Sequence, residues 1–321
     1  MLIVSEETCK KTVGRSEAFA AVEAVFAAMA KGDAYNFPVI REAIGHADAL
    51  YGFKSGFDKS GMVLGVKSGG YWPDNMEKGL INHQSSVFLF DPDTGQLKAV
   101  VGGNYLTAIR TAASSSVSIA HLARPDARVL GLVGAGHQAG FQLRAAAEQR
   151  DFEKVVAWNL HPEMLPALKK VADDIGLPFE AVEREQLGAE ADVIITITSA
   201  FEPLMMKDWV KPGTHLACMG TDTAGKQEVD AELVAAATLF TDEIAQSVTI
   251  GETQHAISAG LISDSDITPV GDVINGTHPG RTSADEITLF DGTGVGLQDL
   301  AVASEAARLA EDAGLARKVE M

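Results

Sequence analysis

The chain has 321 residues, 46% hydrophobic and 22% charged, a make-up that suits a globular protein with enough chain for two domains. Its formal net charge of −18 argues against nucleic acid or an anionic membrane surface as a partner, because both reward a basic face. Cys9 and Cys218, the two cysteines, form neither a metal pattern nor a disulfide framework and read as free thiols. With no basic-then-apolar leader and no apolar run near the ~18 residues of a span, a cytoplasmic protein is expected.

Residues 16–31 place Ala and Phe at helical spacing behind Ser16, which reads as an N-cap. From 48 to 104, short β-rich runs such as "MVLGVKSGGYW" and "SSVFLFD" are split by turns such as Asp91-Pro92-Asp93-Thr94-Gly95. They predict an antiparallel sheet of hairpins. Residues 106–123 read as a small-residue helix that stops before Arg124-Pro125-Asp126. Strands and helices then alternate: strand 128–133, helix 138–149, strand 154–159, helix 162–174, and strands near 178–182, 192–197, 214–219 and 236–241. That alternation predicts a parallel sheet wrapped by helices. The apolar runs "RVLGLVG" and "DVIITIT" suit strands buried on both faces. The tail, 299–315, reads as an amphipathic helix returning to the first domain. The expected fold class is α/β: a Rossmann-type doubly wound domain (123–299) inserted in an α+β domain with an antiparallel sheet (1–122 and 300–321).

The stretch "VLGLVGAGHQAGFQLRAA", 129–146, has the form of a dinucleotide cradle. Gly134 and Gly136 take the first two glycine places, and Ala139 takes the third, which the fingerprint allows. Gly134, Ala135, Gly136, His137 and Gln138 then present backbone N–H groups at a helix N-terminus, where a phosphate is favoured. The plain alternative is a tight turn with no cofactor. The ribose position at the end of the next strand holds Asn159 rather than an acid, with no arginine close behind. NAD is the expected cofactor, with NADP left open.

Several separated motifs resemble the ornithine cyclodeaminase/μ-crystallin family: Pro38-Val-Ile-Arg41, Gly65-Val-Lys67 with Pro73-Asp-Asn75, "VFLFDPDTGQLKAVVGGNYLTAIRTAA", "VGAGHQA", "GTHLACMGTDTAGKQEVD" and "DGTGVGLQDLA". They span about residues 35–310 in the family's order. The resemblance implies a substrate-binding and dimerisation domain beside a Rossmann domain, a homodimer, and NAD(P)-linked chemistry at a carbon bearing an amino or imino group. By position, Arg41, Lys67 and Arg110 match its carboxylate-binding cations and Asp222 its catalytic acid; Lys67 also counts as catalytic. The residue types suit this. A guanidinium fixes a planar carboxylate, and a lysine can hold its second oxygen or polarise a C=N group. Without the resemblance, each would read as a solvated surface cation. Asp222 follows a strand's carboxyl end, where doubly wound folds bind ligands, or it opens an Asx turn.

The candidate set widens from there. His83 and Ser85 stand in a donor-rich stretch with His46, Lys54, Gln84 and Ser86 and are candidate substrate contacts. Thr111, Thr196, Thr198, Ser199, Met219, Gly220 and Val295 are candidate cofactor contacts. Asp299 reads as the N-cap of the final helix, and "GETQHAISAG" as a helix start. The histidines show no paired metal spacing, so no metal is expected. "GGYWPDN" is an aromatic lid or a packed hairpin. Within the family, "YNFPVIREAIGHADALYGFKSGFD" and "KSGGYWPDN" look most like the branch that reduces iminosuccinate to L-aspartate with NADH. The expected partner is therefore a small imino or oxo acid. The alternatives are an ornithine- or lysine-type cyclodeaminase, an alanine dehydrogenase, a ketimine reductase, and a non-catalytic crystallin-like binder of NAD(P)H.

Overall fold

The computed structural model describes residues 1–320. The chain forms two compact units, Met1–Arg110 with the segment from Val295 onward, and Thr111–Gly294. The first division falls inside helix Asn104–Leu122 rather than after it, and the second falls before Val295 rather than after residue 299.

In the first unit, helix Arg15–Ala30 starts one residue before Ser16, and its N-cap is Gly14. The Gly14 N–H donates to the Glu17 carboxylate at 2.9 Å. A carboxylate at the third helical position thus closes the helix start in place of the Ser16 hydroxyl, which corrects the expected cap. The unit's sheet runs Arg317–Lys318, Leu2–Val4, Leu97–Gly102, His83–Phe90, Val63–Tyr71, Leu50–Asp58, Ala34–Asn36, and Ile40–Ala43 also pairs with Leu50–Asp58. The hairpins are antiparallel as expected, but the N-terminal Leu2–Val4 adds itself parallel to Leu97–Gly102.

Register decides what each face of this sheet carries. On one face, Gly56 and Gly65 are paired, and a Cβ at either would meet the side chain of Leu297 or Leu300 at about 3 Å. The two glycines let helix Gly296–Asp312 lie close on the strands. Further along that face come Lys54 opposite Lys67, then Gly52 opposite Gly69. The other face shows Ile40, Tyr51 and Phe53 to solvent, with Tyr35 beyond them, each at least 37% exposed.

The second unit holds an all-parallel sheet in the order Phe179–Ala181, Lys154–Trp158, Val129–Val133, Val193–Thr196, His215–Cys218, Thr288–Asp291, Thr238–Thr241, Ile267–Pro269. Its centre is apolar, with Leu130, Leu132, Val133, Val193, Ile194 and Ile195 all at 0% exposure, as burial on both faces demands. The order in which the chain adds strands reverses between Val129–Val133 and Val193–Thr196, the switch point at which such folds bind ligands. Strands Ile267–Pro269 and Thr288–Asp291, and the small parallel pair Phe201–Met205 with Gln227–Val229, go beyond the sequence expectation. Three to five residues are too few to show a period. Among the described residues, no helix is long and apolar enough to cross a membrane.

Candidate active site

Two cations and one carboxylate meet in the first unit. Lys67, on strand Val63–Tyr71, donates to both Asp299 oxygens at 3.0 Å and to Thr107 Oγ1 at 3.2 Å. Arg110 donates through Nε to Asp299 Oδ1 and through a terminal nitrogen to Gln298 Oε1, each at 3.0 Å. Asp299 is 0% exposed, and Lys67 and Arg110 are 7% and 6% exposed. Asp299 is therefore not the N-cap: Val295 is, and Asp299 lies a turn inside helix Gly296–Asp312. A carboxylate there is held by charge, because two buried cations face it from other elements.

Sheet register adds the rest of this site. Arg41, Gly52, Gly69 and Ser85 form one cross-strand row, Lys54, Lys67 and Val87 the next, and Leu50, Tyr71 and His83 one on the far side of the glycines. Gly52 and Gly69 place no side chain between Arg41 and Ser85. The result is a bare patch of backbone bordered by donors. Ser85 Oγ is buried with no hydrogen-bond partner, an orphan that a polar ligand would satisfy. Arg41 is exposed and Lys54 half-buried.

Burial pushes the Lys67 ammonium down to about 7, Asp299 opposes that, and Arg110 and Lys54 add to the depression. Burial raises the Asp299 carboxyl, but Arg110, Lys67 and Lys54 together outweigh it and hold the group below its usual range. Burial, then the charge of Lys67, presses His83 down to about 3, so its ring is a neutral hydrogen-bonding group. The cluster consists of two buried cations on one ionised carboxylate, a charge imbalance that a second carboxylate could offset.

In the second unit, the glycine loop stands where the fingerprint needs it, between strand Val129–Val133 and helix Ala139–Ala146. Gly134 has φ +114°, and a Cβ there would meet Ile197 O at 2.6 Å. Only glycine suits that turn. A Cβ at Gly136 would meet nothing within 4 Å, which leaves space for a phosphate against the backbone. Gly136 and His137 are exposed, and buried Gln138 Oε1 has no partner. The Ala135 N–H donates to Asn159 Oδ1 at 3.0 Å, and Asn159 Nδ2 donates to His161 O at 2.8 Å. Asn159 thereby braces the loop from the end of the second strand. These residues fit the pyrophosphate and ribose of a dinucleotide.

The remaining candidates divide. Thr198, Ser199, Met219 and Gly220 lie at the ends of neighbouring parallel strands, with Ser199 exposed. Thr196 is fully buried, and its hydroxyl donates to Glu228 at 2.6 Å, which makes it a support rather than a ribose contact. Thr111 and Val295 are buried. Asp222 accepts from Lys226 Nζ at 2.8 Å and from Thr223 Oγ1 at 3.2 Å.

The sequence profile of the Ornithine cyclodeaminase/mu-crystallin family matches residues 1–311. The chain belongs to that family. It is 62% identical to the iminosuccinate reductase of Paracoccus denitrificans over 321 residues, all of both chains. The crystal structure of the iminosuccinate reductase of Paracoccus denitrificans in complex with NAD+ matches with a TM-score of 0.97 at 61% identity, covering 100% of this chain and 99% of that one. An archaeal alanine dehydrogenase dimer with bound NAD matches at 0.93 and 31% identity, covering 100% and 99%.

Within this family member, sequence reasoning missed Thr107, Lys226 and Glu228, read Asp299 as a helix cap, and left Glu252 as part of a helix start. For Asp299 a signal was present. Gly296, Asp299, Ala303, Ala306 and Ala310 are all buried and recur at the spacing of one helical face, so a carboxylate in that stripe needs a cation.

Proposed function

We propose that this protein is an NAD-dependent reductase that converts a small imino acid, iminosuccinate above all, to its L-amino acid, and that it works in the cytoplasm as a homodimer. The observation that carries this reading is the 62% identity to the Paracoccus iminosuccinate reductase over the whole chain. The geometry agrees with a small dianion. Lys67 and Arg110, which already share Asp299 and also hold Thr107 and Gln298, bind one carboxylate. The glycine patch bordered by Arg41, Ser85 and neutral His83 receives the other carboxylate through hydrogen bonds. Lys67 also withdraws charge from the C=N group. The Gly134–Gln138 loop would hold the pyrophosphate of NADH, whose nicotinamide would supply the hydride. A water oriented by Asp222, which its ion pair with Lys226 holds ionised and in a fixed direction, passes a proton to the imine nitrogen and regains one from solvent. The exposed Tyr35, Ile40, Tyr51 and Phe53 make an apolar sheet face that a second copy would cover, and the two cysteines are free and buried, in keeping with a reducing compartment.

The test is NADH oxidation with oxaloacetate plus ammonium, compared with pyruvate or cyclic imines under the same conditions and with NADPH in place of NADH. The dicarboxylate with NADH is expected to turn over fastest. Arg110→Ala raises KM for it about tenfold or more, as loss of a charged hydrogen bond does. Asp222→Asn mainly lowers kcat, by about a hundredfold. Preference for pyruvate would make the protein an alanine dehydrogenase, and ammonia release from ornithine without net NADH oxidation would make it a cyclodeaminase. Unchanged kinetics in both variants would remove the site.

A further inference from the structure

The second unit buries three carboxylates at 0% exposure: Glu228, Glu252 and Asp291. Glu228, on strand Gln227–Val229, receives only donors. They are Thr196 Oγ1 and the Thr198 N–H at 2.6 Å, Thr198 Oγ1 at 2.8 Å and the Gly220 N–H at 2.9 Å. Each oxygen takes a backbone N–H, which cannot accept, as well as a hydroxyl, and fixed donors on both oxygens suit an ionised carboxylate. The approach is close, since a Cβ on Gly220 would collide with Glu228 Oε1. Glu228 thus ties together the ends of strands Val193–Thr196 and His215–Cys218.

Glu252 lies in the "GETQHAISAG" stretch, whose helix, Gln254–Ser258, begins two residues later. Its Oε1 accepts the N–H groups of Glu228 at 2.8 Å and Val229 at 2.7 Å. Its Oε2 has a different neighbour, the Thr221 hydroxyl. A hydroxyl accepts as well as donates, so a proton on Oε2 leaves no donor facing a donor. Thr221 directly precedes Asp222. Behind Glu252, Asp291 Oδ2 accepts from the Glu252 N–H at 2.9 Å and from Ser247 Oγ at 2.6 Å. The titratable and charged groups around the pair are Asp291, with Asp242 beyond it, the Cys218 thiol, and Lys226, whose ammonium binds Gly220 O and Asp222 and whose carbonyl pairs with His255.

We propose that Glu228 and Glu252 form a one-proton carboxylate pair that positions the cofactor-binding and acid-bearing strand ends: Glu228, ionised, holds Thr198 and Gly220, and Glu252, protonated, holds Thr221 and with it the loop of Asp222. Both are positioning residues, and the inference rests on the nucleotide-binding reading of these strand ends. The Glu252 carboxylate sits on the backbone N–H of Glu228, and two negative charges buried in one such region oppose each other, so one proton is retained. Burial, then the charge of Glu228, raises Glu252 to about 8. Burial raises Glu228 as well, and the hydrogen bonds from Thr196, Thr198 and Gly220 oppose that without cancelling it.

The test uses infrared difference spectroscopy on the cofactor-free protein and NADH fluorescence titration on the same samples, with wild type, Glu252→Gln and Glu228→Gln. A carboxylic-acid C=O band that titrates as pH rises through about 8 is expected in wild type and missing in Glu252→Gln. Wild-type NADH affinity is expected to weaken above that pH. Glu252→Gln, which resembles the protonated form, removes the weakening. Glu228→Gln turns an amide N–H against the donors of Thr198 or Gly220 and weakens NADH binding about tenfold at every pH, as one unpaired buried donor does. An acid band that still titrates through about 8 in Glu252→Gln, apart from the one expected of buried Asp291 near 7, overturns the proposal, as does wild-type NADH affinity in Glu228→Gln. A wild-type protein that binds no NADH overturns the nucleotide reading instead, and the infrared band still decides where the proton sits.

Discussion

Lys67 holds a charge where burial disfavours it. Its pKa of about 7 lies below the ordinary 10.5, so the folded state binds this proton less tightly than the unfolded chain. The stability linked to Lys67 is therefore fully present above pH 10.5 and is lost as pH falls towards 7. Carboxylate binding runs the other way, because it needs the ammonium. KM for the imino acid is expected to rise as pH is raised above about 7, and Lys67→Arg, which keeps its charge, removes that inflection from the pH profile of kcat/KM. An inflection that persists in Lys67→Arg belongs to another group. Asp299→Asn leaves Lys67 and Arg110 facing a neutral amide and is expected to cost about 3–5 kcal/mol, the scale for breaking a buried ion pair. Thermal melts would register the loss, and added succinate would recover part of it by supplying a carboxylate. Arg41, Lys67 and Arg110 could be picked out in the sequence because family motifs surround them. Asp299 was misplaced because an aspartate near a helix start reads the same at the cap and one turn inside; only the facing cations separate the two.

At the level of elements, the glycine loop was legible because each condition it meets is local: an apolar strand, two glycines, a small residue, then a helix. Gly134 and Gly136 nevertheless have different roles, and their alanine variants should separate. Gly134→Ala puts a Cβ at φ +114°, 2.6 Å from Ile197 O, and is expected to lower both the melting temperature and NADH affinity, with strain of about 1–3 kcal/mol. Gly136→Ala meets no protein atom within 4 Å. It should melt near wild type while NADH affinity falls, since its methyl group enters the phosphate's space. Equal destabilisation by both would count against the cradle. Other elements were less readable. The helix at Arg15–Ala30 is capped by Gly14 and Glu17 rather than Ser16, because a reciprocal carboxylate can replace a capping hydroxyl. The strand Gln227–Val229, which carries Glu228, has three residues and no period to detect.

For the whole molecule, two compact units alternate in the chain, the second inserted between the halves of the first. The exposed aromatic face of the first unit's sheet belongs to this scale. If it is a dimer surface, Phe53→Asp places a charge at its middle and should convert a dimer to a monomer in light scattering, while the isolated subunit keeps its far-ultraviolet circular dichroism. A monomeric wild type would remove the homodimer from the proposed function.

The sequence by itself determined the alternation of strand and helix, the parallel character of the second unit and the glycine loop, because these follow from short-range patterns of apolar, small and turn-forming residues. Through the family resemblance it also supplied the cations, Lys67 and Arg110, as residue types suited to a carboxylate. Only the tertiary structure decided what those cations face. Asp299 is 232 residues from Lys67, and Glu252 is 24 from the Glu228 backbone it holds. Buried charges choose partners by distance and desolvation in space, and neither quantity is carried by spacing along the chain.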